Sequence, residues 1–177
     1  YALECCNLKH KPQTLWLEFG TGDGNTANYI SSFTNDTLYG FDSFEGLPEK
    51  WRDGYGVGNA TRNGILPKVN SNVELIKGWF KDTLPNFIKK HNKKVSFIHI
   101  DCDIYSSTIF VLETLHDYLD DGCIIVFDEL VNYPGYNTPI GELWALYEYV
   151  NKYNVSFEWI GMFGKPFNMH GNVHESV

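Results

Sequence analysis

The chain has 177 residues, 43% of them hydrophobic and 20% charged, enough for one domain that buries its own core and short for two. A formal net charge of -8 and a pI near 5.1 argue against a nucleic-acid or anionic-membrane surface, because phosphate would be repelled, and favour a small-molecule ligand. No apolar run approaches about 18 residues, so nothing reads as a membrane span.

Short apolar runs alternate with helix-period segments, the pattern of parallel strands joined by crossover helices. TLWLEF, 14–19, is the first strand, and Asn25 or Thr26 caps a short helix through Phe33 with Ala27, Ile30 and Phe33 on one face. TLYGFD, 37–42, and NVELIKG, 72–78, are the second and third strands. Between them, residues 45–71 hold four glycines from Gly54 to Gly64, two prolines and no apolar period. A stretch of that length is either disordered or functional, and Trp51, Arg52, Tyr55 and Arg62 among the glycines suggest a flap over an acceptor. DTLPNFIKKH restarts a helix, with Asp82 as cap and Pro85 in the first turn. VSFIHID, 95–101, is nearly continuous apolar, as a strand covered on both faces should be. From about Ser107 a helix sets Ile109, Leu112, Leu115 and Leu119 on one buried stripe. GCIIVFD, 122–128, is the fifth strand. Thr138 then caps and Pro139 opens a helix whose Ile140, Leu143, Trp144 and Tyr147 face the sheet. VSFEWIG, 155–161, alternates as a sixth strand, and PFNMH, 166–170, is a short antiparallel edge. The expected architecture is one α/β domain over 1–177, a Rossmann-like doubly wound, mostly parallel sheet of about six or seven strands with helices on both faces.

Four cysteines, Cys5, Cys6, Cys102 and Cys123, fit no metal-knuckle spacing, and two fall in predicted buried strands. Reduced thiols point to a cytoplasmic protein. Sequons at Asn35, Asn59 and Asn154 read as chance matches in a chain without a signal peptide, and Tyr1 in place of methionine suggests a trimmed chain.

The stretch LEFGTGDGNT, 17–26, follows the first strand directly. Gly20, Gly22 and Gly24 let the backbone turn sharply and leave amides bare for a ligand. A dinucleotide fingerprint needs glycine where Asn25 stands, and a P-loop needs a lysine where none occurs between Lys11 and Lys50. What remains is acidic-x-Gly-x-Gly-x-Gly, with Glu18 beside the loop to attract a cationic group. A tight turn that holds nothing is the alternative. Asp42 ends the second strand, where an acidic side chain accepts both hydroxyls of an adenosine ribose, with a capping role as the alternative. Ser43 follows it in the same binding set. Phe44, with Trp79 and Phe80 after Gly78, stands beyond the second and third strands where a flat base could lie, core packing being the other reading. Tyr105 with Ser106 could line the amino-acid end of such a ligand.

Asp101 and Asp103 leave the fourth strand, and Asp128 and Glu129 leave the fifth. Like charges so close raise one another's pKa values and call for protons, arginines or a metal, of which a hard divalent cation is the simplest remedy. Solvated strand-end acids are the alternative. His99 shares the parity of Phe97 and Asp101 but lies deeper, as a base or as a buried hydrogen-bonded histidine.

Together these features resemble class I S-adenosylmethionine-dependent methyltransferases. GFDSFEGLPEKWRDG, KGWFKDTLP, FIHIDCDIYSST and IIVFDELVNYPG, in that order, are similar to the macrocin-type sugar O-methyltransferase family, from about Trp16 to Tyr136. The resemblance implies S-adenosylmethionine as cofactor, a sugar or similar hydroxylated acceptor, and magnesium held by Asp101, Asp128 and the position of Glu129. That family more often has Asp-Asp there, so Glu129 is a departure. Metal coordination would activate the acceptor hydroxyl, with Asp101 or Asp103 as base. The family also implies N-terminal covering helices and a homo-oligomer, whereas only some thirteen residues precede the first strand here. Competing readings are a methyltransferase for a catechol or nitrogen acceptor, a non-catalytic S-adenosylmethionine-binding domain, and a nicotinamide dehydrogenase, against which Asn25 argues.

Overall fold

Residues 2–4, 13–131 and 133–162 are described by the computed structural model of the chain. Strands β1 (Leu15–Phe19), β2 (Leu38–Asp42), β3 (Val73–Lys77), β4 (Val95–Ile100) and β5 (Leu119–Phe127) form one sheet in the order β3-β2-β1-β4-β5, every pair parallel. The chain winds outward from β1 to β3, then restarts at β4 on the other side of β1. The carboxyl ends of β1 and β4 therefore flank a topological switch point, where such sheets bind ligands.

Strand parity decides what each face buries. Leu15, Leu17 and Phe19 of β1 join Ile98 and Ile100 of β4 in the larger core, which α2 (Phe80–His91), α3 (Tyr105–Leu115) and α4 (Glu142–Tyr153) cover. Trp16 and Phe97 point to the other face, where their rings pack 4.9 Å apart beneath α1 (Asn25–Ser31). Glu18 and His99 share that second face, directly opposite each other in register.

The doubly wound plan is as expected, with five strands among the described residues. Residues 155–161 pair with no strand there. Phe157 and Trp159 are exposed and stack edge to face at 5.1 Å, so the alternating pattern serves no sheet. Residues 166–170 lie outside the described residues, as do Cys5 and Cys6, while Cys102 is a buried free thiol and Cys123 is half-buried in β5.

Several boundaries shift for reasons set by tertiary contacts. The cap of α1 is Gly24, with Asn25 and Thr26 already in the first turn. Trp79 occupies the cap position of α2. Its carbonyl accepts N–H bonds from Asp82 and Thr83, so the helix has begun before Asp82 and carries Pro85 inside it. In α3 the buried stripe is Thr108, Val111, Leu112 and Leu115, and Leu119 opens β5. The largest difference concerns α4. Ile104 bridges Gly141, and the Tyr105 N–H donates to the Ile140 carbonyl, which keeps residues 140–141 from turning into helix before Glu142. The buried face is consequently Glu142, Ala145, Leu146 and Tyr149, and Tyr147 is 61% exposed. No helix among the described residues is long and apolar enough to cross a membrane.

Candidate active site

At the switch point the glycine turn is wedged between β2 and β4. Gly20 has φ +93°, and its N–H donates to the Phe41 carbonyl at 2.9 Å. A Cβ at that position would lie 1.7 Å from the Asp101 carbonyl oxygen, so only glycine fits. One residue pair further, the Gly22 N–H donates to Asp42 Oδ2 at 2.8 Å, and the Phe44 N–H donates to Oδ1 at 2.6 Å. Asp42 thus ties the turn after β1 to the turn after β2. Gly24 closes the first of these turns through its N–H to the Thr21 carbonyl.

The segment from 45 to 71 is organised around Phe44, which is buried and left-handed, with φ 59°. Its carbonyl accepts the Arg62 and Gly64 N–H groups, while the Ser43 hydroxyl accepts the Glu45 N–H. Arg62 also pairs with Asp23, crossing from this segment to the glycine turn. A cavity of about 420 Å³ lies between them, lined by Gly22, Asp23, Ala60, Thr61, Arg62 and Ile65. Of the other aromatic candidates, Trp79 is half-buried beside Gly78, and Phe80 packs edge-on against Phe19 of the core at 5.3 Å. Tyr105 is turned elsewhere. Its hydroxyl donates to Glu148 Oε2 at 2.5 Å and lines a separate groove between α3 and α4. Ser106 reaches the flap instead, donating to Glu49 Oε1 at 2.7 Å.

Glu18 is fully buried, and the partner it meets is internal: Oε1 lies 3.2 Å from His99 Nδ1. Burial alone would lower the His99 pKa, but the Glu18 hydrogen bond and the charges of Glu18, Asp101 and Asp128 raise it. Above this pair, Asp101 is pushed up to about 7, first by burial and then by the charge of Asp128. Asp103, held left-handed at φ 63°, is pushed up to about 6 by burial, with Arg52 opposing and Asp128 reinforcing the shift. Glu129 is raised by burial and by Asp103 and Asp128, again with Arg52 opposing. Asp128 itself is exposed.

Arg52 comes from the 45–71 segment. Its guanidinium lies 3.9 Å from the centre of the Tyr55 ring and 4.3 Å from that of Trp51, with Tyr133 at 5.4 Å. The remedy at hand for Asp103 and Glu129 is an arginine, because Arg52 opposes the upward shift of both. Among the described residues, no group of three or more His, Cys, Asp or Glu side chains could hold a metal ion, so Asp101, Asp128 and Glu129 do not fit as a ligand set for magnesium.

Glu142 was not among the sequence candidates. It is fully buried at the start of α4, where Oε1 accepts the Cys102 N–H at 3.3 Å and Oε2 the Glu129 N–H at 3.2 Å. Burial drives its pKa well above the ordinary range, and the two amides pull it back. A glutamate directly after Gly141 was the available signal. Starting the helix at Pro139 conceals it.

Over residues 17–130 the chain matches the family described as methyltransferase domain. It is 34% identical over 106 residues to 8-demethyl-8-(2,3-dimethoxy-alpha-L-rhamnosyl)-tetracenomycin-C 4'-O-methyltransferase of Streptomyces olivaceus, covering 50% of this chain and 40% of that protein. It is 25% identical over 130 residues to demethyldecarbamoylnovobiocin O-methyltransferase of Streptomyces niveus, covering 63% and 48%. The chain thus spans less than half the length of either relative. Among solved structures, the calicheamicin methyltransferase CalS11 superposes with a TM-score of 0.70 at 20% identity, covering 90% of this chain and 72% of that one. The O-methyltransferase NovP gives 0.63 at 22% identity, covering 89% and 72%. Both likenesses are of fold.

Proposed function

Because the chain belongs to the methyltransferase-domain family, we propose that it binds S-adenosylmethionine and methylates a hydroxyl of a small molecule, a sugar being the favoured acceptor. The names of the two Streptomyces relatives support oxygen as the acceptor atom, and one of them specifies a rhamnosyl group. In this reading 1–177 is one methyltransferase domain and 45–71 its flap.

The observation that carries the proposal is the joint between the glycine turn and Asp42. Two backbone amides fix the carboxylate, one to each oxygen, and each oxygen keeps a lone pair for a ribose hydroxyl. Gly20, Gly22 and Gly24, with Asn25 and Thr26 in the first turn of α1, would hold the adenosyl amino acid against bare backbone. Ser43, Phe44, Gly78 and Trp79 would border the base. Phe80 and Tyr105 leave that set, one packed into the core and the other bonded to Glu148.

When bound, S-adenosylmethionine supplies a methyl group already activated for displacement. The chain must orient the acceptor and take its proton. Asp101 is suited to accept that proton, because its carboxyl titrates at about 7 and its backbone abuts Gly20. Asp103, at about 6, is the second candidate. His99 is engaged with Glu18, 3.2 Å away, which leaves it a positioning role beneath Asp101. Magnesium assistance rests on the family resemblance alone.

Calorimetric titration with S-adenosylhomocysteine should give saturable one-to-one binding that Asp42→Ala weakens strongly. Transfer of a labelled methyl group to a panel of deoxysugar glycosides, with and without chelator, should then be lost in Asp101→Asn. A folded protein that binds no S-adenosylhomocysteine would overturn the reading.

A further inference from the structure

The last rung between β4 and β5 is the Asp128 N–H bonded to the Ile100 carbonyl at 2.9 Å. Beyond it, no ladder bond joins the two strand ends among the described residues, although each carries two of the acids. Glu142 takes over at that fork. One oxygen accepts the amide just after Asp101 and the other the amide just after Asp128. We propose that Glu142 is a positioning residue, a brace that sets the spacing of the acidic strand ends and, through the 101–102 peptide, the wall of the glycine turn.

Three observations support the brace. A fully buried carboxylate is costly unless its charge is met, and apolar packing alone would favour a hydrocarbon of similar volume. Here the need is for an acceptor with two oxygens, one for each strand end. Second, the segment bearing Glu142 is stitched to the same loop, because Gly141 bridges Ile104 and the Ile140 carbonyl accepts the Tyr105 N–H at 3.1 Å. Third, the peptide that Glu142 grips is the one Gly20 rests against, with Cys102 N only 3.4 Å from where a Gly20 Cβ would be. A shift at Cys102 is therefore felt in the turn that the proposed function assigns to the cofactor. The brace rests on that reading for its consequence in binding, not for its hydrogen bonds.

The test compares Glu142→Ala and Glu142→Gln with the unaltered chain by amide hydrogen exchange and by calorimetry with S-adenosylhomocysteine. Glu142→Ala should lose protection at both Cys102 and Glu129 and bind S-adenosylhomocysteine about tenfold more weakly or worse, the scale of leaving buried amides without an acceptor. Glu142→Gln keeps one acceptor oxygen, so it should retain protection at one amide and an intermediate affinity. A role limited to filling space would not give that graded rescue, since the two side chains have nearly the same volume. Unchanged protection and affinity in both variants would overturn the brace, and Glu142→Gln alone decides the matter if Glu142→Ala fails to fold. Should the unaltered chain bind no S-adenosylhomocysteine, the functional reading falls. The exchange data then still decide for or against the brace.

Discussion

The two halves of the switch point are built on opposite principles. On the β1–β2 side the backbone amides of the turn are matched within the chain: Gly20 bonds Phe41, and Gly22 and Phe44 share the Asp42 carboxylate. On the β4–β5 side, burial and like charge raise Asp101, Asp103 and Glu129 together, with His99 in partial opposition at Asp101 and Arg52 at the other two. The bonds of the first half preorganise the turn and Asp42, while Glu18 Oε2 and Thr21 Oγ1 beside them are buried without a hydrogen-bond partner. The second is electrostatically unfinished, so a proton has free energy to gain by arriving there.

The contrast can be broken most forcibly at Gly20. Gly20→Ala meets a backbone carbonyl and a left-handed φ at once, so we expect a loss of more than about 3 kcal/mol in chemical denaturation and no S-adenosylhomocysteine binding. Next is Asp42→Asn, which leaves one acceptor oxygen for two amides. It should weaken S-adenosylhomocysteine affinity by roughly ten- to a hundredfold in calorimetry, with a smaller effect on melting.

The acid half answers to pH. Asp101 and Asp103 are raised in the folded state, to about 7 and about 6 from 3.8, so folding favours their protonated forms. The stability they contribute is complete below the unfolded value near 4 and is lost as pH rises through 6 and then 7. Melting measured in chelator should therefore fall between about pH 4 and pH 7, and Asp101→Asn should flatten that slope. Arg52→Met should lower stability by about 1–2 kcal/mol through lost cation–π contact and lost opposition to the acids, steepening the same slope. The smallest effect is expected from Arg62→Ala. The pair with Asp23 is largely exposed, so a double-mutant cycle with Asp23→Ala should return under about 1 kcal/mol and vanish in high salt.

The same division explains which features are legible in the amino-acid sequence. Strand positions and the winding of the sheet follow from local apolar runs, and the glycine turn with Asp42 follows from backbone constraints within a few residues. The phase of α4 depends on Ile104 holding Gly141, and the face expected from Ile140 onward is therefore turned away from the core. Tyr105 departs from its expected place because its partner, Glu148, lies 43 positions further along. Glu142 bonds Cys102 across 40 positions and Glu129 across 13, so no periodicity announces it. The acids themselves are visible as strand-end residues. Their arginine neighbour comes from a flap whose folded path has no pattern to follow.

The contact between Gly20 and the Asp101 carbonyl also bears on how this scaffold tolerates change. The two halves of the site share a hard surface with no side chain between them, so neither can be re-spaced independently. Laboratory evolution toward new acceptors should accumulate substitutions and length changes in 45–71, where the chain hangs on a few backbone bonds to Phe44. Positions 20, 101 and 102 should stay fixed, because a Cβ at Gly20 meets the 101–102 peptide and neither can shift without the other.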